Sequence, residues 1–268
     1  QQSNIDPSKT ITKSYIKQFE RRYSITISSS VLFIENSCFS DCHFLKSISV
    51  DPDNMKFASI DGVLFTKNFD TLVCFPSYHR FATYKIPTSV RSIGDFAFDG
   101  CSSLRKIVVD PDNKVFTAIH NVLFTKDLTT LLRYPSGNDS SFYKVPAGVT
   151  SIGNYAFTQC FNLESVIIPE GVISIGNYAF DECEAEFSLP STLKSIGYYS
   201  FFNCSGFEEI KLPSNLVSIG HAAFFHCSNL QSIEIPPSIT SIEPLLCKMC
   251  ENLASVKLNN VTSIPRSA

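Results

Sequence analysis

Apolar residues return along this chain in one fixed frame, and the clearest copy of that frame is Val149–Pro169. In this copy Ile152 lies eight residues before Cys160, and Phe157 lies three residues before it. The same frame recurs around Cys42, Cys101, Cys160, Cys183, Cys204, Cys227 and Cys250. Because one such unit cannot bury its apolar face alone, the recurrence predicts stacked repeats that form a solenoid with a continuous core.

Each unit predicts the same local elements. The run Ile210–Pro213 alternates apolar and polar residues, which is typical of a half-buried strand, and its proline ends the hydrogen bonding of that strand. The Ser-Ile-Gly that follows predicts a turn. Ala-Phe-x-x-Cys then predicts a short helical turn that places phenylalanine and cysteine on one inward side. The predicted class is therefore a β-rich α/β solenoid.

Two consecutive units are much longer than the usual 23 residues. Cys42 to Cys101 and Cys101 to Cys160 each span 59 residues. The extra residues of the two units match each other and contain pairs of β-rich runs joined by short polar links. This pattern predicts β-hairpin inserts near 62–76 and 121–135.

One unit is shorter than the others. Cys183 to Cys204 spans 21 residues, and the deficit lies within Glu184–Leu189. We therefore expect the strand in this segment to be cramped or bulged.

The N-terminal residues 1–30 are predicted to be a lead-in that caps the open end of the solenoid, and 31–268 a single solenoid domain. Apolar residues at three- and four-residue steps predict an amphipathic helix over 10–23. The alternative is a degenerate first repeat, because Ile25 and Ile27 already sit in the repeat register. Since the chain lacks an initial Met and ends inside a repeat, we expect it to be a piece of a longer protein.

The composition allows a sizeable core, with 44% hydrophobic and 18% charged residues. The net charge of −3 and the absence of a basic run give no reason to expect a nucleic-acid partner. No run of about 18 apolar residues is present, so we expect no membrane span within this sequence.

The ten cysteines invite a disulfide interpretation, but their positions favour buried free thiols. Seven occupy one repeat position, and Cys38 and Cys247 occupy other apolar repeat positions. Cys74 is expected to face water, because Arg133 is its counterpart one long unit later.

Candidate catalytic groups do not form a convincing set. His226 is adjacent to Cys227, but neighbouring side chains point apart and no third group is placed to orient them. Cys247 and Cys250 have the spacing of a redox pair, although both positions face inward. We therefore predict a non-enzymatic chain with no catalytic residues and no cofactor.

Two Asp-Pro-Asp-Asn loops offer carboxylates that could bind calcium, at Asp51, Asp53, Asp110 and Asp112. Two carboxylates per loop fall short of the six to eight ligands that calcium takes, and Asp-Pro also begins ordinary turns. We predict turns and no metal site.

The consensus L-x-x-I-x-I-P-x-x-V-x-S-I-G-x-x-A-F-x-x-C resembles the BspA-like class of leucine-rich repeats. Asp61–Phe65 and the phrase Val-Asp-Pro-Asp-Asn, which occurs twice, also look like that family, and the match covers about Ile25 to Ile264. Glu35 and Glu243 depart from it, because they replace the glycine of the turn.

The resemblance implies a leucine-rich-repeat solenoid with a parallel β-sheet on its concave face and short helical turns on the other side. It also implies cell-surface or secreted proteins of anaerobic bacteria and of a mucosal flagellate parasite, which bind host matrix, host cells or other microbes. No catalytic motif of the family exists to carry over. Sequons for N-glycosylation at Asn138 and Asn260 apply only to a secreted chain.

The middle residues of the predicted strands should face solvent and offer a binding surface. Val108 and Ile167 stand where a solvated face would be polar, between charged neighbours, and an apolar centre with a charged rim suits protein recognition. One alternative is an ordinary solvated sheet face. Another is that the inserts cover Val108 and Ile167. The predicted partner-binding residues are Lys85, Arg105, Val108, Lys144, Ile167, Lys211 and Glu234.

Two functions follow from this surface. The first is a protein-binding adhesion ectodomain at the cell surface or secreted. The alternative is an intracellular, cytoplasmic scaffold for protein–protein interaction built on the same repeat.

Overall fold

The computed structural model describes residues 2–5 and 9–267. The chain forms two compact units, Gln1–Asn121 (unit 1) and Val122–Ala268 (unit 2). Each unit is a β-solenoid of mainly parallel strands, as the sequence predicts, and it contains very little helix. The domain boundary at 30/31 stays a prediction.

Unit 1 carries the only helical elements of the described residues, α1 (Lys13–Ile16) and the 3₁₀ turn Lys17–Phe19. Its strands are β1 (Gln2–Ile5), β2 (Thr10–Ile11), β3 (Ser24–Ile27), β4 (Phe33–Ile34), β5 (Ser47–Val50), β6 (Phe57–Ile60), β7 (Val63–Thr66), β8 (Thr71–Cys74), β9 (Thr83–Ile86), β10 (Ser92–Ile93), β11 (Lys106–Val109) and β12 (Phe116–Ile119).

Unit 2 consists of strands and turns in its described residues. The strands are β13 (Val122–Thr125), β14 (Thr130–Arg133), β15 (Phe142–Lys144), β16 (Ser151–Ile152), β17 (Ser165–Ile167), β18 (Ser174–Ile175), β19 (Glu186–Ser188), β20 (Ser195–Ile196), β21 (Glu209–Lys211), β22 (Ser218–Ile219), β23 (Ser232–Ile235) and β24 (Ser255–Leu258).

Each regular coil contributes one longer strand and one two-residue Ser-Ile strand. In unit 2 the longer strands form the parallel groups β15-β17-β19 and β21-β23-β24, and the Ser-Ile strands pair in the order β16-β18-β20-β22. The isoleucines of the short strands stack in register and are buried: Ile152, Ile175, Ile196 and Ile219.

A column of phenylalanine rings runs through the core of unit 2. The ring centroids of Phe157 and Phe180 are 4.9 Å apart, those of Phe180 and Phe201 5.5 Å, and those of Phe201 and Phe224 5.2 Å. All four rings are fully buried and close to parallel. Because neighbouring strands lie about 4.8 Å apart, identical side chains in successive coils stack face to face.

The Ala-Phe-x-x-Cys segments form turns, but they do not continue as helix. Phe157 N–H donates to Ala179 O at 2.7 Å, and Phe180 N–H donates to Ser200 O at 2.8 Å. In unit 2 each of these turn segments holds two residues in the left-handed region, four positions apart, such as Tyr155 (φ 56°) and Gln159 (φ 57°). Because left-handed and right-handed backbone conformations alternate in these turns, their N–H groups point toward the next coil. The turns therefore form a third hydrogen-bonded ladder between coils, beside those of the longer strands and the Ser-Ile strands.

The cysteine column has a hydrogen-bonding role as well as a packing role. The Cys204 thiol donates to Phe180 O at 2.8 Å, and the Cys227 thiol donates to Phe201 O at 3.1 Å. Both sulfurs are fully buried, and burial raises the thiol pKa of both residues. All ten cysteines are free thiols. Cysteine suits this position because it fills a small apolar space and still offers a weak donor to a buried carbonyl.

The hairpin inserts are confirmed. In unit 1, β7 pairs with β8 in antiparallel fashion, and in unit 2, β13 pairs with β14 in the same way. Unit 1 also contains β6, which adds an antiparallel strand to β7 that the sequence did not predict.

A buried asparagine anchors the entry to the first insert. The Asn54 amide donates to Ser28 O at 2.7 Å and to Val31 O at 3.0 Å, and its oxygen accepts from Lys56 N–H and Phe57 N–H. The second long unit repeats this arrangement at its own Asn-Lys-Val-Phe run. The Asp-Pro-Asp-Asn loops are therefore structural turns.

The predicted helix over 10–23 is shorter than expected. Helical backbone covers only residues 13–19, and the Thr12 hydroxyl caps its start by accepting from Tyr15 N–H. Residues Thr10–Ile11 instead form β2, which pairs with β4, so this end of the chain already follows the solenoid pattern.

The expectation that Cys74 faces water is wrong. Cys74 pairs with Leu64 at the end of the insert hairpin, and its side chain is buried. Its counterpart Arg133 is also buried, and the guanidinium donates to Tyr155 O at 2.5 Å. The position is therefore interior in both long units. An arginine is tolerated there because its long side chain reaches a carbonyl acceptor inside the coil.

The short unit breaks the sheet of longer strands. β19 pairs with β17 in regular register, but the next ladder begins at β21, and the described residues contain no ladder between β19 and β21. Gly206 lies against the carbonyls of Glu184 and Ala185, where an added Cβ would come within 2.3 Å of either oxygen. The coils approach closely at Gly206, and β19 and β21, which follow the short unit's turn and the next one, are not paired with each other.

Candidate functional site

The candidate site is the outward face of the longer strands, described here for each unit by itself. Side chains alternate along a strand, so every second residue of β9, β11, β15, β17, β21 and β23 points away from the core. This surface is called the strand face below.

The strand face of unit 1 pairs a cation with an apolar residue. Lys85 lies opposite Val108 in the parallel ladder of β9 and β11. Lys85 Nζ is 2.7 Å from a carboxylate oxygen of Asp110, and this contact keeps the pKa of Asp110 below its usual value. Val108 is half-buried, and Arg105, which immediately precedes β11, is exposed.

The strand face of unit 2 carries an exposed apolar group beside a lysine. Lys144 lies opposite Ile167, and Phe142 lies opposite Ser165 on the same face. Ile167 is 44% exposed and Phe142 is 51% exposed. The Ile167 side chain is therefore not covered by the insert, and the alternative that it belongs to the core is excluded.

The last three strands of unit 2 carry alternating charges. Lys211, Glu234 and Lys257 lie opposite one another on β21, β23 and β24. Lys257 Nζ is 2.7 Å from Glu234 Oε1. The hydrogen bond from Lys257 is the main cause of a lowered pKa at Glu234. Exposed ion pairs of this kind contribute little to the stability of the fold. Their main effect is on the electrostatic potential of this surface.

The structure brings some of the predicted site residues together and separates others. Cross-strand pairing joins Lys85 with Val108, Lys144 with Ile167, and Lys211 with Glu234. Ile167 and Lys211 belong to different ladders of unit 2, because the sheet breaks between β19 and β21. The role of these residues in binding stays a prediction.

An aromatic group around Lys46 in unit 1 was missed by the prediction. Lys46 Nζ lies 4.8 Å from the ring centroid of Tyr23 and 5.4 Å from that of Tyr78, and both rings are about half exposed. Such cation–π contacts recur at recognition surfaces. Tyr78 follows the insert, where the repeat gives no register that could place its ring beside Lys46.

A cavity of 270 Å³ lies on the turn side of unit 1. Its walls are mainly apolar and include Cys38 and Cys74, while Glu35, Asp95 and Asp99 lie at its polar edge. Burial raises the pKa of both thiols, so they are protonated at neutral pH. No cluster of metal-ligating side chains occurs in the described part of the chain.

Cys250 lies at the less buried end of the cysteine column. Cys250 and Cys247 are half-buried, unlike the interior members of the column. Contacts with the thiols of Cys227 and Cys247 lower the pKa of Cys250, with a smaller contribution from His226. The Cys250 thiol also donates to Phe224 O at 3.0 Å, as the interior cysteines of the column donate to their own carbonyl acceptors.

Solved structures of similar fold include bacterial leucine-rich repeat proteins. The pneumococcal vaccine antigen PcpA matches with a TM-score of 0.62 and 24% identity over 91% of this chain, which spans 57% of the length of that structure. A leucine-rich cell surface protein of Faecalibacterium prausnitzii matches with a TM-score of 0.61 and 22% identity, over 97% of this chain and 88% of the other. A leucine-rich repeat protein of Eubacterium ventriosum matches with a TM-score of 0.57 and 19% identity, over 99% and 78%. At these identities the likeness establishes the fold alone.

A search of curated proteins finds no match. In the described part of the chain, no helix is both long enough and apolar enough to span a membrane. The family model for the BspA-type leucine-rich repeat region matches six copies, over residues 3–69, 71–145, 134–186 and 150–268. The match covers nearly all of the sequence, and the chain belongs to the BspA-type leucine-rich repeat family.

Proposed function

We propose that this chain is a non-enzymatic adhesion module, at the cell surface or secreted, that contacts host matrix, host cells or other microbes through its strand face. Membership of the leucine-rich repeat family supports a protein-interaction module. The adhesion function is supported by the exposed side chains of Ile167 and Phe142, which lie beside Lys144 on a regular strand face. An exposed apolar centre next to charge is the composition of a protein-binding surface.

The leucine-rich cell surface protein of Faecalibacterium prausnitzii, one of the structural neighbours, supports the proposed location. A folded solenoid presents a rigid surface, so binding needs little ordering of the backbone. In unit 1, Lys85, Arg105 and Val108 form the corresponding group. In unit 2, Lys211 and Glu234 supply charges that steer a partner and set its orientation.

The experiment compares two matched substitutions. Ile167→Asp places a charge at the centre of the strand face of unit 2, and Ile173→Asp places the same charge at a residue of equal exposure (45%) just before β18. The purified variants are applied to epithelial monolayers and to reconstituted extracellular matrix. We expect Ile167→Asp to abolish retention and Ile173→Asp to preserve it, with nearly unchanged thermal midpoints for both. Equal retention of the two variants would refute the strand face as the contact surface.

A second function, an intracellular scaffold, is favoured by one observation. All ten cysteines are free, as in a reducing compartment. Antibody labelling of intact source cells separates the two functions. Labelling before permeabilisation supports the adhesion module, and labelling only after permeabilisation supports the scaffold.

A further inference from the structure

The unpaired edges at the short unit of unit 2 form a second candidate binding surface. On one side of the break, Glu186 N–H donates to Glu164 O at 2.9 Å, so β19 directs the backbone groups of Glu186 toward β17. Hydrogen-bonding groups of successive residues in a strand point to opposite sides. The N–H and C=O of Phe187 therefore point into the break.

The opposite edge is β21. Gln231 N–H donates to Glu208 O at 2.7 Å, so the backbone carbonyl of Glu208 faces β23. By the same alternation, Glu209 and Lys211 direct their backbone N–H and C=O into the break. Within the described residues these groups have no backbone partner. Such an edge is a template for pairing with another strand.

A cleft lies over this break. It consists of two depressions of 640 Å³ and 460 Å³, which share Phe187 and Glu209 as wall residues. The ring of Phe187 is half-buried and stacks on Phe180 and Phe201, with centroid distances of 4.8 Å and 5.1 Å. The cleft therefore offers one apolar group, the Phe187 ring, that packing already holds in place.

The rim of the cleft is acidic. Glu186, Glu208 and Glu209 are exposed and have no ion pair with any other residue that the structure describes. Glu170, at the far end, is occupied by hydrogen bonds from Ser191 and Thr192. Lys211 is the one basic residue of the lining. The cleft therefore favours a cationic ligand.

We propose that this cleft binds an extended peptide segment of alternating basic and apolar residues, which adds as a strand to the free edge of β21. The proposal rests on the protein-binding function proposed above and names the chemistry of one partner. Backbone hydrogen bonds go to Glu209 and Lys211, and apolar side chains point inward onto Phe187. Basic side chains then point outward, where Glu186 and Glu209 lie. Because side chains alternate along a strand, one peptide can place its apolar residues on Phe187 and its basic residues beside the acidic rim.

The test uses a fluorescein-labelled nonapeptide of alternating lysine and valine, with fluorescence anisotropy as the readout. Two peptide controls accompany it: the same sequence with N-methylated backbone amides, and a glutamate–valine version. We expect binding of the lysine–valine peptide alone, with an affinity that falls as salt concentration rises. Equal binding of the N-methylated peptide would overturn the proposal, because strand addition needs those amides.

Variants of the protein locate the site. Inserting Asn-Leu between Glu184 and Ala185 restores the 23-residue spacing and should close the break, so peptide binding should disappear. Glu209→Lys should raise the Kd at least about tenfold, while Glu251→Lys, an equivalent change away from the cleft, should not. Unchanged affinity in Glu209→Lys would contradict the proposal even if the insertion variant fails to fold.

Two further measurements separate this proposal from its rivals. In the free protein, hydrogen exchange at the amides of Glu209 and Lys211 should be fast, and protection equal to that of Ile233 would mean that the edge is already paired. Sedimentation should show a monomer, and a dimer that the insertion abolishes would assign the cleft to a second copy of this chain. Ile167→Asp should bind the peptide normally, because Ile167 lies outside the cleft. Loss of the cleft proposal would therefore leave the strand-face proposal intact, and loss of the strand-face proposal would leave the cleft proposal intact.

Discussion

Replacing Phe180 by alanine tests whether the phenylalanine column stabilises the solenoid. Phe180 is fully buried, and its ring stacks on Phe157 at 4.9 Å, on Phe201 at 5.5 Å and on Phe187 at 4.8 Å. Removing a buried phenylalanine typically costs about 3–5 kcal/mol, which combines lost transfer free energy with the cavity left behind. Aromatic pairs add about 0.5–1.5 kcal/mol each, so a site with three partners should lie at the upper end of that range.

The assay is urea unfolding followed by circular dichroism, since the chain contains no tryptophan to report by fluorescence. Phe142→Ala is the matched control, because the same side chain is removed from a position that is half exposed. We expect the control to lose less than about 1 kcal/mol. Lys211→Ala, on the strand face, should also be mild.

Hydrogen exchange extends the same test to neighbouring coils. In a solenoid each coil contacts only its neighbours, so the loss of protection in Phe180→Ala should centre on the amides of Phe157 and Phe201. Equal stability losses in Phe180→Ala and Phe142→Ala would refute the inside–outside assignment of this column.

Three further predictions follow from the structure. Iodoacetamide should alkylate Cys250 in the folded chain before Cys74, because Cys250 is half-buried with a lowered pKa, whereas Cys74 is buried with a raised pKa. Modification of Cys74 first, located by mass spectrometry, would contradict the burial. Asn54→Ala should lower the free energy of unfolding by about 1–3 kcal/mol, because buried backbone groups lose their partners, and an unchanged melting temperature would count against that anchor. Lys257→Ala should raise the pKa of Glu234 in an NMR titration, and an unshifted pKa would mean that the ion pair does not form in solution.

The repeat register predicted most of the core. The phenylalanine column and the interior cysteines followed directly from periodic spacing, because stacking places equivalent residues at equivalent depth. The inserts were predicted as hairpins, but Cys74 and β6 were not placed correctly, since no periodic partner fixes which face of an insert is buried. The ladder of turns was also missed, because left-handed backbone at residues such as Tyr155 has no sequence signature without glycine.

The candidate site was only partly predictable. Alternation along a strand indicated that Ile167 points outward, and its exposure agrees. The two-residue deficit after Cys183 predicted a disturbed strand, yet it could not show that the sheet would separate between β19 and β21 and expose two edges. That outcome depends on how closely two coils approach, which is a tertiary property.

Photo-crosslinking from position 167 tests the central claim most directly. Benzoylphenylalanine replaces Ile167 in one sample and Ile173, of equal exposure, in another, and each protein is irradiated while bound to epithelial cells. If the strand face is the contact surface, position 167 should give a discrete crosslinked product that excess unlabelled chain suppresses, and position 173 should give none. Crosslinking from position 173 alone would place the contact on another surface and contradict the account.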